Sequence, residues 1–135
     1  MTYMVAFMYP SDPATKDSSE FDYEHFVNVH LPMGLALTRK YLDIQPEKIV
    51  VYDPITDGEG TFNNRPYCAI SSVFFNSEAD AKTFCTLFSY EEAARRLSED
   101  FANYTPAAPD VIMAQVKELN DIGGMIKKFE DSEAI

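Results

Sequence analysis

The hydrophobic positions of this chain fall into short runs that polar segments separate. Four runs have the length and the β-branched or aromatic content of strands. The run Tyr3–Tyr9 is apolar on both of its alternating faces, which predicts a strand that is covered on both sides. The other three strands are predicted at Lys48–Asp53, Pro66–Asn76 and Val111–Glu118.

A first helix is predicted to begin at Asp22. This residue is a good N-cap, and Phe21 before it can pack on Phe26 as a hydrophobic staple. The proline at position 32 removes one backbone donor, so the helix is expected to kink or break near Leu31. Its apolar stripe, at the spacing of one helical face, runs through Phe26, His30, Met33, Leu37 and Tyr41.

Two further helical segments are marked by capping patterns. Ser77 is predicted to cap the first, with Asp80 in the capping-box position, and Ser89–Glu92 has the pattern of a second capping box. Pro106 and Pro109 then predict irregular structure before the last strand. A flexible turn is expected at Asp57–Gly60.

The order strand, helix, strand, strand, helix, strand predicts an α+β fold of ferredoxin-like type. In this β-α-β-β-α-β arrangement, helices cover one face of a four-stranded antiparallel sheet. The other face would be a large apolar patch, which soluble monomers avoid, so a homodimer packed sheet against sheet is expected. The alternative is a monomer whose tail folds across the sheet. Residues 1–119 are expected to form the domain, and 120–135 a C-terminal tail that either docks as a helix or stays loose.

Charge and composition limit the classes of partner and cofactor that we expect. The net charge of −11 repels phosphate backbones and anionic lipid, so we expect neither nucleic acid nor a membrane as a partner. Cys68 and Cys85 lack the spacing of metal ligands and are expected to be free, buried thiols in a cytoplasmic protein. The sequence contains no phosphate-binding loop, dinucleotide fingerprint or nucleophile elbow, so no cofactor is expected.

The chain has two histidines, His25 and His30. A spacing of five residues turns them about 140° apart on an ideal α-helix, which disfavours a shared metal site. His25 is expected to be a solvated or capping residue. His30 lies on the apolar stripe, where partial desolvation favours a neutral imidazole that can exchange a proton near neutral pH. The alternative is that His30 only bonds a carbonyl beside the helix break or a nearby tyrosine.

Three segments carry a resemblance to a known family. The run FDYEHFVNVHLP (Phe21 to Pro32) resembles the first-helix signature of the EthD family, in the dimeric α/β-barrel superfamily. The strand end Met8–Pro10 is similar to that family's opening strand, and Asn103–Val116 is similar to its closing segment. The resemblance covers about Tyr3 to Glu118; the polar loop before Phe21 and the tail depart from it.

The resemblance implies a ferredoxin-like subunit that dimerises into a barrel, with a cavity between sheet and helices. The family's histidine falls on His30, which is the candidate catalytic residue. Relatives in the superfamily include cofactor-independent monooxygenases, lactone isomerases, polyketide cyclases and decarboxylases. Apolar and aromatic side chains are the candidates for binding a substrate, although packing explains each equally well; they are Tyr9, Tyr23, Phe26, Leu37 and Tyr67.

Three hypotheses about function follow. The first is an enzyme that acts on a small apolar compound, cyclic or carbonyl-bearing, with His30 as the acid–base group in isomerisation, decarboxylation or cyclisation, or cofactor-free oxygenation. The second is a non-catalytic protein that binds a hydrophobic metabolite in the same pocket. The third is an accessory subunit that docks another protein, which would show a closed pocket and an apolar patch outside the dimer interface. We favour the enzyme.

Overall fold

The computed structural model describes residues 1–12, 20–55 and 66–133. The strands are β1 (Thr2–Pro10), β2 (Lys48–Tyr52), β3 (Tyr67–Phe75) and β4 (Asp110–Val116). The helices are α1 (residues 23–42), α2 (Glu78–Phe84), α3 (Glu91–Asp100) and α4 (Ile122–Glu133). Single 3-10 turns, Leu87–Ser89 and Phe101–Asn103, lie before and after α3. The turn predicted at Asp57–Gly60 lies outside the described residues.

The four strands form one antiparallel sheet in the order β2-β3-β1-β4. The two central strands are not consecutive in the chain, because α1 carries the chain from β1 across to β2 at the sheet edge. This is the strand order of the ferredoxin-like fold. The predicted α+β class is therefore confirmed, and the four predicted strands each lie within two residues of the observed bounds.

The two faces of the sheet have different surroundings. Val5 and Tyr9 of β1 are buried toward the helices, where they pack in clusters with Ala81 of α2 and Phe26 of α1. Side chains alternate along a strand, so the intervening residues lie on the opposite face. We call this the open face; by register, its rows across β3, β1 and β4 consist of Phe74, Met4 and Ala114, then Ser72, Ala6 and Ile112, then Ile70, Met8 and Asp110.

Helix α1 contains a π-helical turn where a break was predicted. An α-helical turn, Tyr23–His25, leads into a π turn, Phe26–His30, and then into the α-helix Leu31–Leu42. The Leu31 N–H bonds the Phe26 carbonyl, five residues back. Pro32 then stands in the first turn of the α-helical part, where its missing donor is tolerated. The irregularity is thus a change of winding inside one continuous helix.

Two of the three predicted helix caps are observed. Asp22 caps α1 by accepting from the His25 N–H at 3.0 Å, and Ser77 caps α2 by accepting from the Asp80 N–H at 3.1 Å. The capping box predicted at Ser89 is wrong. Its hydroxyl instead donates to the Thr86 carbonyl at 2.6 Å, and Tyr90 occupies the cap position of α3 without a side-chain bond. Because this hydroxyl is bonded within the 3-10 turn that precedes α3, Ser89 does not cap the helix.

The tail forms helix α4, and none of its residues is buried. Its apolar side chains are more than half exposed; they are Ile122, Met125, Ile126 and Phe129. The expectation of two buried thiols is only half right, because Cys68 is buried and Cys85 is exposed. In the described parts of the chain, every helix falls short of the length and apolarity that crossing a bilayer requires.

We expect Asp22→Ala to destabilise the protein by about 1 kcal/mol, because the N–H of His25 loses its acceptor at the start of α1. Asp22→Asn is the matched control, since the amide oxygen can still accept this bond. The free energy of unfolding from denaturant titration measures both variants. An equal loss in the two would show that charge, and not the cap, is what matters at this position.

Candidate functional site

A buried carboxylate at the end of α3 binds both histidines of α1. Asp100 Oδ2 lies 2.9 Å from His30 Nδ1, and Asp100 Oδ1 lies 2.8 Å from His25 Nε2. Asn103 Nδ2 donates a third bond to Oδ1 at 2.9 Å. Three donors therefore satisfy a carboxylate whose side chain is only 9% exposed. We call His25, His30 and Asp100 the His–Asp–His cluster.

The π turn explains why both histidines reach one carboxylate. The prediction that they point about 140° apart assumed an uninterrupted α-helix. A π turn pairs residue i with i+5, which brings residues five apart onto one face. The expectation that His25 is solvated or a cap is therefore wrong: its ring bonds Asp100 and stacks on Tyr104 with a centroid separation of 6.0 Å.

The hydrogen bonds fix the tautomers. An ionised carboxylate only accepts, so His25 must carry its proton on Nε2 and His30 must carry its proton on Nδ1. Nε2 of His30 is then the basic nitrogen. Burial lowers the pKa of His30 below its ordinary 6.5, although the bond to Asp100 acts in the opposite direction. His30 is accordingly neutral at pH 7 and able to accept a proton.

Asp100 itself stays ionised. Burial raises its pKa, but the hydrogen bonds from Asn103, His25 and His30 outweigh burial, and the net shift is downward from 3.8. Because the carboxylate keeps its charge beside a neutral imidazole, it is placed to stabilise the imidazolium that forms when His30 takes up a proton.

Aromatic rings enclose the His30 imidazole. Its centroid lies 4.6 Å from the ring of Tyr104, 5.8 Å from Phe26 and 5.7 Å from Phe101. The hydroxyl of Tyr104 donates to the hydroxyl of Tyr9 at 3.0 Å. Burial raises the pKa of Tyr9 to about 12, so this pair is neutral at pH 7. The imidazole therefore lies in largely apolar surroundings, with only 8% of the residue exposed.

His30 lines a cavity of about 390 Å³ between the sheet and the helices. This volume is within the range of small-molecule sites. The sheet side of the cavity is formed by Val5, Phe7, Tyr9, Ile49, Ser71 and Val73. The helix side is formed mainly by Phe26, His30, Leu31, Leu35, Phe84 and Leu97. The lining is almost entirely apolar, so an occupant must bury a mostly hydrocarbon surface.

The structure brings three of the six predicted site residues together. Tyr9, Phe26 and His30 all line the cavity. The other three do not line it. The first of these is Tyr23, whose hydroxyl donates to the Cys68 carbonyl at 2.5 Å.

Leu37 and Tyr67 also lie outside the lining. Leu37 packs in a separate core cluster with Leu87, Ala93 and Leu97. The hydroxyl of Tyr67 lies 3.3 Å from the carboxylate of Asp110. The roles in catalysis and binding suggested for all six residues stay predictions.

Asp100 was not among the predicted site residues, although the sequence carries a signal for it. Carboxylates are unfavourable in the last turn of a helix, where the backbone dipole is negative. Glu99 and Asp100 both occupy that turn of α3, which has no basic residue there. An acidic residue at a position where the helix dipole is unfavourable indicates a compensating partner. For Asp100 these partners include the imidazoles of His25 and His30.

Within residues 1–12, 20–55 and 66–133, no three His, Cys, Asp or Glu side chains are grouped so that they could hold a metal ion. In the cluster, the nitrogens that face Asp100 are occupied by hydrogen bonds to it. The chemistry that the geometry offers is proton transfer at Nε2 of His30.

Fold and site together define a ferredoxin-like protein with one histidine in the lining of an apolar cavity. A crystal structure of an EthD-like protein from Ralstonia eutropha JMP134 has a TM-score of 0.64 and 22% identity, over 89% of this chain and 96% of the other. A crystal structure of an ethyl tert-butyl ether D (EthD) family protein from Bacillus halodurans C-125 has a TM-score of 0.51 and 14% identity, over 87% and 100%. In sequence, no family model and no curated protein matches the chain. The predicted resemblance to EthD-like proteins is thus confirmed for the fold.

We expect Asp100→Asn to lower the pKa of His30 further, because the carboxylate stabilises the protonated ring. His25→Gln should act in the opposite direction, since a positive charge on His25 disfavours a second one on His30. Titration of the imidazole proton signals by NMR gives both shifts. Shifts of the same sign in the two variants would contradict this account of the cluster.

Proposed function

We propose that this protein is an enzyme that moves a proton within an apolar, cyclic or carbonyl-bearing small molecule, with His30 as the acid–base residue. The observation that carries the proposal is the position of one ring. His30 lines an apolar cavity while its Nδ1 is held by a buried carboxylate. A base held in a fixed orientation at the wall of an apolar cavity is what proton abstraction requires.

The proposed step uses the two nitrogens of His30 differently. Nε2 accepts a proton from an acidic C–H or O–H of the substrate, and the ring becomes an imidazolium. Nδ1 keeps its proton, and its bond to the ionised Asp100 stabilises the new charge. The same proton then returns to another atom of the substrate. Isomerisation, cyclisation and decarboxylation all use this exchange, and it needs no further group.

The comparisons and the sequence support this class of function without naming a reaction. The likeness to two EthD-like structures extends over nearly the whole chain. The resemblance in sequence implies that His30 corresponds to the family's histidine. Tyr9 and Phe26 line the same cavity as His30, so we assign them to substrate contact. The same cavity would also suit a carrier that binds a hydrophobic metabolite without changing it, so the test below separates the two.

We further propose that the protein is a cytoplasmic homodimer whose open faces pack together. The small side chains at the centre of that face, Ala6 and Ser72, are buried. Ile112 in the same row is 47% exposed, on the edge strand β4. An apolar sheet face with a small-residue centre allows the close approach of a second, identical sheet across a two-fold axis.

The enzyme proposal predicts catalysed deuterium exchange. The protein is incubated in D2O with apolar ketones, for example 1-tetralone and 2-tetralone, and loss of the proton signal next to the carbonyl is followed by NMR. We expect His30→Gln to slow exchange by about a hundredfold or more, because the base is lost. His25→Gln is the matched control, with the same chemical change five residues earlier, and should lose much less.

Exchange at equal rates with and without His30 would refute the catalytic role. Ketones that shift protein signals on binding, yet exchange no faster than in buffer, would identify a carrier instead. Circular dichroism and the denaturation midpoint must show that His30→Gln is folded before either conclusion is drawn.

The dimer proposal predicts that Ile112→Asp yields monomers. The variant would bury one unpaired carboxylate from each subunit in the interface, and these two negative charges repel each other. Val27→Asp is the matched control: it introduces the same charge at a side chain that is also 47% exposed, but on α1. Light scattering after size exclusion reports the mass of each variant. A wild-type monomer, or dissociation of both variants alike, would contradict the proposed interface.

A further inference from the structure

One polar atom on the sheet side of the cavity has no hydrogen-bond partner. Ser71 lies on the central strand β3, and its side chain lines the cavity. The residue is 1% exposed, and its Oγ has no partner among the described residues. Its cross-strand neighbours on this face are Phe7 and Val51, which offer no polar group.

A hydroxyl in such a place is unfavourable for folding alone. A buried donor without a partner loses its hydration and gains nothing in return. Valine has nearly the same size, prefers strands and would suit the apolar surroundings better, as Val73 does two residues later on the same face. The serine therefore indicates a ligand that supplies the missing bond.

We propose that Ser71 donates a hydrogen bond to an oxygen of the substrate and so sets which end of the molecule faces the sheet. This inference rests on the proposed function of the cavity and specifies its substrate class. His30 is on the helix side and Ser71 is on the sheet side. A substrate that uses both has an apolar ring body with a carbonyl or hydroxyl oxygen toward the sheet and its acidic hydrogen toward Nε2 of His30.

Tyr9 is the other hydroxyl on the sheet side, and its situation differs. Its oxygen already accepts a bond from Tyr104, so this hydroxyl has one partner where Ser71 has none among the described residues. Ser71 has no such partner in the described part of the chain. The oxygen-binding role is for this reason assigned to Ser71, and Tyr9 serves as the comparison in the test.

The test compares two ligands of nearly the same shape, acetophenone and α-methylstyrene. In α-methylstyrene, a C=CH2 group stands where acetophenone has its C=O group. Dissociation constants come from NMR titration of the wild type, Ser71→Ala, Ser71→Thr and Tyr9→Phe. The ratio of the two constants cancels the general effect of hydrophobicity. We expect Ser71→Ala to shift this ratio against acetophenone by about two- to tenfold, the contribution of one hydrogen bond. Ser71→Thr keeps a hydroxyl and should keep the ratio.

A ratio that is unchanged in Ser71→Ala, or that changes only in Tyr9→Phe, overturns the role of Ser71 and leaves the proposed function intact. Failure of the wild type to bind either ligand overturns both. A second measurement needs no ligand: the denaturation midpoint of Ser71→Ala should equal or exceed that of the wild type. A clear fall would show that the hydroxyl already has a partner in the resting protein, which also overturns the inference.

Discussion

The burial of one ionised carboxylate is the constraint on which the rest of this structure depends. Asp100 lies at the end of α3, where the helix dipole opposes its charge and the surrounding rings exclude water. Such a group is tolerated only with a full set of donors. His25, His30 and Asn103 supply them, so the first half of α1 is tied to the end of α3. The stability of the fold and the orientation of the candidate base therefore share a cause.

The sequence was sufficient for the parts of the fold that depend on local pattern. Alternating apolar residues marked β1 and β3, and the caps at Asp22 and Ser77 marked two helix starts. These features are decided by neighbouring residues, which a sequence displays directly. The strand order follows from the sequence of elements, because right-handed crossovers leave few topologies open.

The candidate site was harder to predict from the sequence, for a physical reason. Placing His25 and His30 on one face requires a π turn, which no propensity signals and which depends on the tertiary bonds to Asp100. The two histidines are separated from that carboxylate by 75 and 70 residues, so their meeting is a property of the packed fold. Tyr23 and Leu37 illustrate the opposite failure: both look suited to a pocket, yet one bonds a strand carbonyl and the other fills a core.

Two opposing effects decide what His30 is able to do. Burial among Phe26, Phe101 and Tyr104 lowers its pKa, and the neighbouring carboxylate raises it. Burial alone would make the ring a weaker base, and the carboxylate alone would favour the protonated ring. Because burial is the larger effect, the ring is neutral before a reaction, while Asp100 is still within 2.9 Å to stabilise the charge that forms during it. Both effects act on His30 because it lies on the helix face of the sheet, between buried aromatic rings and a carboxylate at the end of a helix.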